Sequence, residues 1–266
     1  MKTFLQKYEI WIFLILCAVI NVPFVKARTE GLISGSVYNT GRFCILLFLL
    51  ICILKCTRGN KGIINLFKPM INWKTHPKWY LLSLLFPATI AVIILLLKSS
   101  YYDLELDAFF NFKSTTLRGY IALLVWAFLG EVVWVSYCIR ELSKITKPFY
   151  AGQIVAVFWT LWFIPIIILG EGIFPQIPIV SAFIFIMGLA GMCSFIYNHT
   201  KSGLCVLLLQ FMVNLTLLTF PITPTNGGAP TYTAYSIAYF LAMLVIVGLD
   251  HLIRNNKTKP LWTRSP

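Results

Sequence analysis

An all-α, polytopic membrane protein of about eight transmembrane helices is the fold class this chain predicts, and three observations predict it. First, 59% of its 266 residues are hydrophobic and only 12% are charged, more apolar surface than a soluble domain of this length can bury. Second, the apolar residues fall in runs that suit a hydrocarbon core ~30 Å thick, which takes roughly 20 helical residues to cross. Third, no run shows the in–out alternation of a membrane barrel, and in lipid a helix satisfies every backbone group within one segment.

The spans follow in order. The first covers 10–26 and, with no small-residue cleavage site after it, reads as a retained signal-anchor. The second, 41–56, is short and begins as early as Val37. A long basic loop separates it from the third span, 79–98. The next loop, 99–118, places Asp103, Glu105 and Asp107 before Phe109, Phe110 and Phe112, the pattern of a solvated acidic stretch with a membrane-dipping aromatic cluster. The fourth to seventh spans are 119–140, 149–169, 177–197 and 203–220. The stretch Pro221–Pro230 is rich in Pro and Gly, a composition that excludes helix and marks a turn. The eighth span, 232–253, precedes a short basic tail. Three regions result: helices one to three within 1–118, a core of helices four to eight within 119–253, and the tail 254–266.

The net charge of +13 invites a nucleic-acid reading, which its distribution argues against. With eight spans, sixteen of the 22 Lys and Arg residues fall on the side of the termini and six on the other. The positive-inside rule then places both termini in the cytoplasm. The second loop, with Lys55, Arg58, Lys61, Lys68, Lys74 and Lys78, is expected against anionic headgroups. Membrane lipid is therefore the expected partner of the basic residues, and nucleic acid is not. The Lys- and Ile-rich composition points to a bacterial plasma membrane.

The seven cysteines (Cys17, Cys44, Cys52, Cys56, Cys138, Cys193, Cys205) lie in or beside spans without a C-x-x-C pair, and read as reduced packing residues. His76, His199 and His251 lack metal-ligand spacing, and His199 reads as a structural turn residue. Nucleophile-elbow and phosphate-loop motifs are absent. No cofactor and no metal is expected.

An ionisable group inside a span costs about 2.5–3.5 kcal/mol on insertion scales. Glu131, in the middle of the fourth span, therefore needs a reason. Gln210 and Asn214, four apart and so on one face of the seventh span, are candidate partners, as is Thr160. An acid facing two carboxamides is either interhelical glue, at ~0.6 kcal/mol per contact, or the lining of a functional cavity; the residues leave both open.

Three segments, in order, carry a resemblance. Gly130-Glu131-Val132-Val133-Trp134-Val135, continuing Ser136-Tyr137, resembles a Glu-Glu-x-x-x-Arg motif. Trp162-Phe163-Ile164-Pro165 resembles Trp-His-x-Pro, and Gln210-Phe211-Met212-Val213-Asn214 resembles His-x-x-x-Asn. The turn Ile196–Gly203 before the third segment is similar as well. Together, over about 120–220, they resemble the CPBP family of intramembrane proteases (CaaX proteases and bacteriocin-processing enzymes, also called Abi). Gly130 and Val135 stand where the first Glu and the Arg belong. A second register makes Glu131 the first Glu, with Val132 and Ser136 for the others. Phe163 and Gln210 replace the two histidines.

In active members the resemblance implies that a Glu and a His activate water while a second His and the Asn polarise the scissile carbonyl. Phe163 has no lone pair, and Gln210 can donate to an oxyanion but cannot act as acid or base. The remnant positions Glu131, Phe163, Gln210 and Asn214 thus predict no intact catalytic set. The expectation is a degenerate member that binds a membrane or cell-envelope protein or peptide, or serves bacteriocin self-immunity. Glu131, Trp134, Trp162, Gln210 and Asn214 are its candidate cavity residues, and Trp126 and Trp159 add aromatic area. The alternatives are a residual endopeptidase using Glu131 and Asn214, and a transporter for a small solute or ion. The absence of paired charges in the spans argues against the last.

Overall fold

The computed structural model describes residues 2–102, 116–170 and 175–255, all of whose regular elements are helical. Eight helices are long and apolar enough to cross a membrane: α1 (Lys2–Thr29), α2 (Gly35–Ile71), α3 (Pro77–Tyr102), α4 (Leu117–Leu142), α5 (Pro148–Ile168), α6 (Ile179–Thr200), α7 (Gly203–Thr219) and α8 (Ala229–Asn255). Each contains one of the expected spans or matches it closely, and the ends differ because polar residues continue the helices past the apolar runs. The acidic loop with Asp103, Glu105, Asp107 and its phenylalanines, and the tail beyond Asn255, lie outside the described residues.

The largest departure concerns the basic second loop, which is mostly helix. Between Gly59 and Pro69 nothing breaks a helix, and Ile63, Leu66, Phe67 and Met70 recur at helical spacing and pack on the bundle. Gly59 lets α2 bend rather than stop: its φ of 65° and ψ of −159° are open to glycine and strained for other residues. Past the bend, Ile64 and Ile71 face outward while Gly62 and Leu66 face the bundle. Arg58 is correspondingly no headgroup contact. It turns inward, with Nη2 2.6 Å from Glu9 Oε1 and 2.8 Å from Glu141 Oε2. The spans therefore do contain paired charges, against the sequence expectation.

Smaller corrections follow the same physics. Pro224–Gly227 forms a single helical turn inside a stretch whose composition excludes helix, because proline is tolerated at the first helical position. His199 lies in the last turn of α6 and not in a loop; its Nε2 is 3.3 Å from Asp250 Oδ2 on α8. All seven cysteines are unpaired, but Cys44, Cys52 and Cys56 face outward from α2 and pack nothing.

One apolar core runs through the bundle. Helices α6 and α8 pack along each other, as do α5 with α6 and α3 with α7, while α1 and α2 close against α4 and α5. The hairpin between α6 and α7 is tight. Lys201 adopts a left-handed φ of 53°, and Ser202 caps α7 by accepting from the Cys205 amide at 3.2 Å. Asn72, at the end of α2, donates to the carbonyls of Thr200 and Lys201, tying α2 to this hairpin.

Candidate functional site

The three motif segments meet around one cavity. Helix α4 contributes Gly130, α5 contributes Phe163, and α7 contributes Gln210 and Asn214, all lining a space of about 100 Å³. The lining extends to the start of α2, α6 and α8 (Asn39, Ala182, Tyr232) and the end of α5 and α7 (Ile167, Leu217), the side of the bundle away from the chain termini. Trp126, Trp159 and Phe185 supply most of the aromatic wall. Among the described lining residues none is Asp, Glu, His, Lys or Arg. The polar groups are three carboxamides (Asn39, Gln210, Asn214), the Tyr232 hydroxyl and the indole N–H groups of Trp126 and Trp159.

Glu131 does not line this cavity. Residues 131–139 wind as a π-helix, whose i→i+5 bonding brings residues five apart to one face. Ser136 is thereby set beside Glu131 and donates to its Oε1 at 2.7 Å, while Oε2 has no hydrogen-bond partner. The carboxyl points toward the start of α7: a Cβ placed on Gly203 would lie 2.8 Å from Glu131 Oε1 and 2.7 Å from Met70 Sδ. A Cβ at position 203 would thus press on both of these side chains.

The expected partners of Glu131 are elsewhere. Thr160 donates to its own helix at Ala156 O, and Asn214 is a half-buried cavity wall. Gln210 faces Gly130, whose added Cβ would meet Gln210 Oε1 at 2.8 Å, and its Nε2 has no partner. The residue at the cavity in the first motif is Gly130, and Glu131 is packed behind it.

Trp134 and Trp162 are also fully buried behind the wall and do not line it. Trp134 stacks on the cavity residue Trp159 with ring centres 5.6 Å apart and meets Trp162 edge-on at 5.9 Å. Pro165 lies within α5 and has no N–H for the Leu161 carbonyl four residues back. There the Trp162 carbonyl accepts from Asn21 Nδ2 and Arg42 Nη2, each at 3.2 Å.

Arg42 is the residue that sequence reading missed. By charge count it belongs to the first loop, yet it lies two turns inside α2 with 1% exposure. Its guanidinium carbon sits 3.6 Å from the Trp162 ring centre and 5.3 Å from that of Phe163, a desolvated cation–π contact of ~2 kcal/mol or more. The signal that finds it is the rule that singled out Glu131: a charge in a span, at about 2.5–3.5 kcal/mol, needs a reason.

The chemistry available at the cavity is limited. Gly130 offers no ligand or base, Phe163 no lone pair, and Gln210 and Asn214 only amide dipoles. These residues supply no donor set for a metal ion. Among the described residues no group of three or more His, Cys, Asp and Glu side chains is placed to hold one. What the cavity can do is bury an apolar group and hydrogen-bond a polar one at its inner end.

No family model matches the chain. It is similar to CAAX prenyl protease 2 of Methanococcus maripaludis, 26% identical over 256 residues, a match covering 90% of this chain and 89% of that protein. With the eight spanning helices, that likeness supports a CAAX protease-like family for this multi-pass membrane protein.

Proposed function

We propose that this is a non-hydrolytic, ligand-binding protein of CAAX protease-like architecture, set in a plasma membrane with both termini cytoplasmic. The observation that carries the reading is the wall of the cavity. Where the motifs converge, the positions that would hold a base and its partner imidazoles are Gly130, Phe163 and Gln210. A general base contributes ~10²–10⁴ in rate, and a carboxamide cannot take the proton. The space itself remains, about 100 Å³ against the ~150 Å³ engineered cavity that accepts benzene. It suits one apolar side chain or a few carbons of a hydrocarbon chain, and a partner's helix would dock outside it. Self-immunity or control of an envelope enzyme would then act through occupancy of this seat.

Two experiments test the reading together. Purified protein in lipid nanodiscs, incubated with a prenylated peptide ending in a CaaX sequence, is expected to leave the peptide intact. An apolar probe is expected to bind saturably and to be excluded by Ala182→Phe, which adds a ring to the cavity lining. Peptide-bond cleavage by the pure protein, lost in Glu131→Gln or Asn214→Ala, overturns the reading in favour of a peptidase, the activity in the relative's name.

A further inference from the structure

We infer that the ligand of this cavity is a single-chain amphiphile whose anionic oxygen head, a carboxylate or a phosphate, is held by Arg42. This rests on the reading of the cavity as a binding seat and adds the class of ligand. The two buried-side arginines of α2 differ in one respect. Arg58 has two carboxylates, from Glu9 and Glu141. Arg42 is almost wholly buried and, among the described residues, has no carboxylate: Nη2 donates to the Trp162 carbonyl, the Tyr38 side chain lies beside the guanidinium, and Nε and Nη1 have no acceptor within hydrogen-bond distance. A guanidinium presents its N–H groups in a planar fork that matches carboxylate and phosphate oxygens.

Its position links it to the cavity. Asn39, three residues earlier and so on the same face of α2, lines the cavity, as do Phe43 and Phe163. The rings of those two lie 6.0 Å and 5.3 Å from the guanidinium carbon. The cation therefore stands behind the wall rather than in it, and a head group would have to displace the edge of Phe163 to meet it. A peptide fits less well, because each buried backbone N–H and C=O needs a partner and the wall offers few polar groups. A hydrocarbon chain needs none.

The test compares three chains of equal length: octanoate, octyl phosphate and octanol. Each is brominated so that contact quenches tryptophan fluorescence at Trp126 and Trp159. The full-length protein is held in zwitterionic nanodiscs, with Ala182→Phe as the blank. The expected result is at least tenfold tighter binding of an anionic chain than of octanol, a preference abolished in Arg42→Met and kept in Arg42→Lys. Whichever of octanoate and octyl phosphate binds tighter identifies the source as a fatty acid or a phosphate lipid. Equal binding of octanol and both anions by the unmodified protein overturns the role of Arg42 but leaves the seat. No saturable binding that Ala182→Phe removes overturns both. A C-terminally apolar peptide that displaces the probe more strongly than octanoate does overturns the lipid assignment. The comparison within the unmodified protein stands even where Arg42→Met fails to fold.

Discussion

Replacing Arg58 by methionine should loosen the first two helices from the fourth, and the structure gives the scale of the loss. Arg58 holds Glu9 through two contacts, Nη2 to Oε1 at 2.6 Å and Nε to Oε2 at 3.1 Å, and Glu141 through one at 2.8 Å. The acids are buried to 3% and 8% side-chain exposure, while Arg58 keeps 35%. Removing one partner of a fully buried pair costs about 3–5 kcal/mol. Partial exposure of the arginine screens the pair, so about 2–3 kcal/mol is expected here. The loss divides unevenly. Glu141 keeps Lys144 at 2.7 Å, whereas Glu9 keeps only the Tyr137 hydroxyl at 2.9 Å. The double variant Glu9→Gln/Arg58→Met should therefore recover at least ~1 kcal/mol relative to Arg58→Met, and Glu141→Gln should recover less. Equilibrium unfolding in mixed micelles against SDS mole fraction reads all four corners of each cycle. An Arg58–Glu9 coupling below ~0.5 kcal/mol, or one smaller than the Arg58–Glu141 coupling, would refute the argument that this pair carries the clamp.

Other predictions use the same measurement. Gly203→Ala should cost about 1–3 kcal/mol, because its Cβ would overlap Met70 Sδ and Glu131 Oε1; a neutral result would mean that α7 shifts freely. Ser136→Ala removes the hydrogen bond that Ser136 donates to the buried carboxyl of Glu131 and should cost about 1–3 kcal/mol, most of it recovered by adding Glu131→Leu. Restoring motif residues with Gly130→Glu, Phe163→His and Gln210→His should lower stability. The new Cβ at 130 meets residue 210, and polar groups then line an apolar wall. An unchanged unfolding midpoint would show that the cavity still accommodates a catalytic set.

How much of this was legible in the sequence depends on the range over which each feature is set. The eight spans were legible because insertion into lipid is judged segment by segment, from length and hydropathy alone. That the motif segments share one site came only from their resemblance to a protease family, since order and spacing by themselves do not bring three helices together. The continuation of α2 past Gly59 was less legible, because its lysines read as a loop until the apolar spacing of Ile63, Leu66, Phe67 and Met70 is set against a bundle. The surroundings of Glu131 were not legible: one residue after Gly130 it turns about 100° off the cavity face, and only the π-winding that brings Ser136 to it and the packing of α7 show that it meets Ser136 and Gly203.

By itself, then, the chain determined that it is a helical bundle of the membrane and that positions 163 and 210 carry no imidazole, since both follow from which side chains are present. Only the tertiary structure decided what the remaining charges do. Arg58 meets Glu141 across 83 residues and Arg42 meets Trp162 across 120. Whether a cation in a span reaches for headgroups, an acid or an aromatic ring depends on the neighbours that packing brings to it, and no local pattern encodes them.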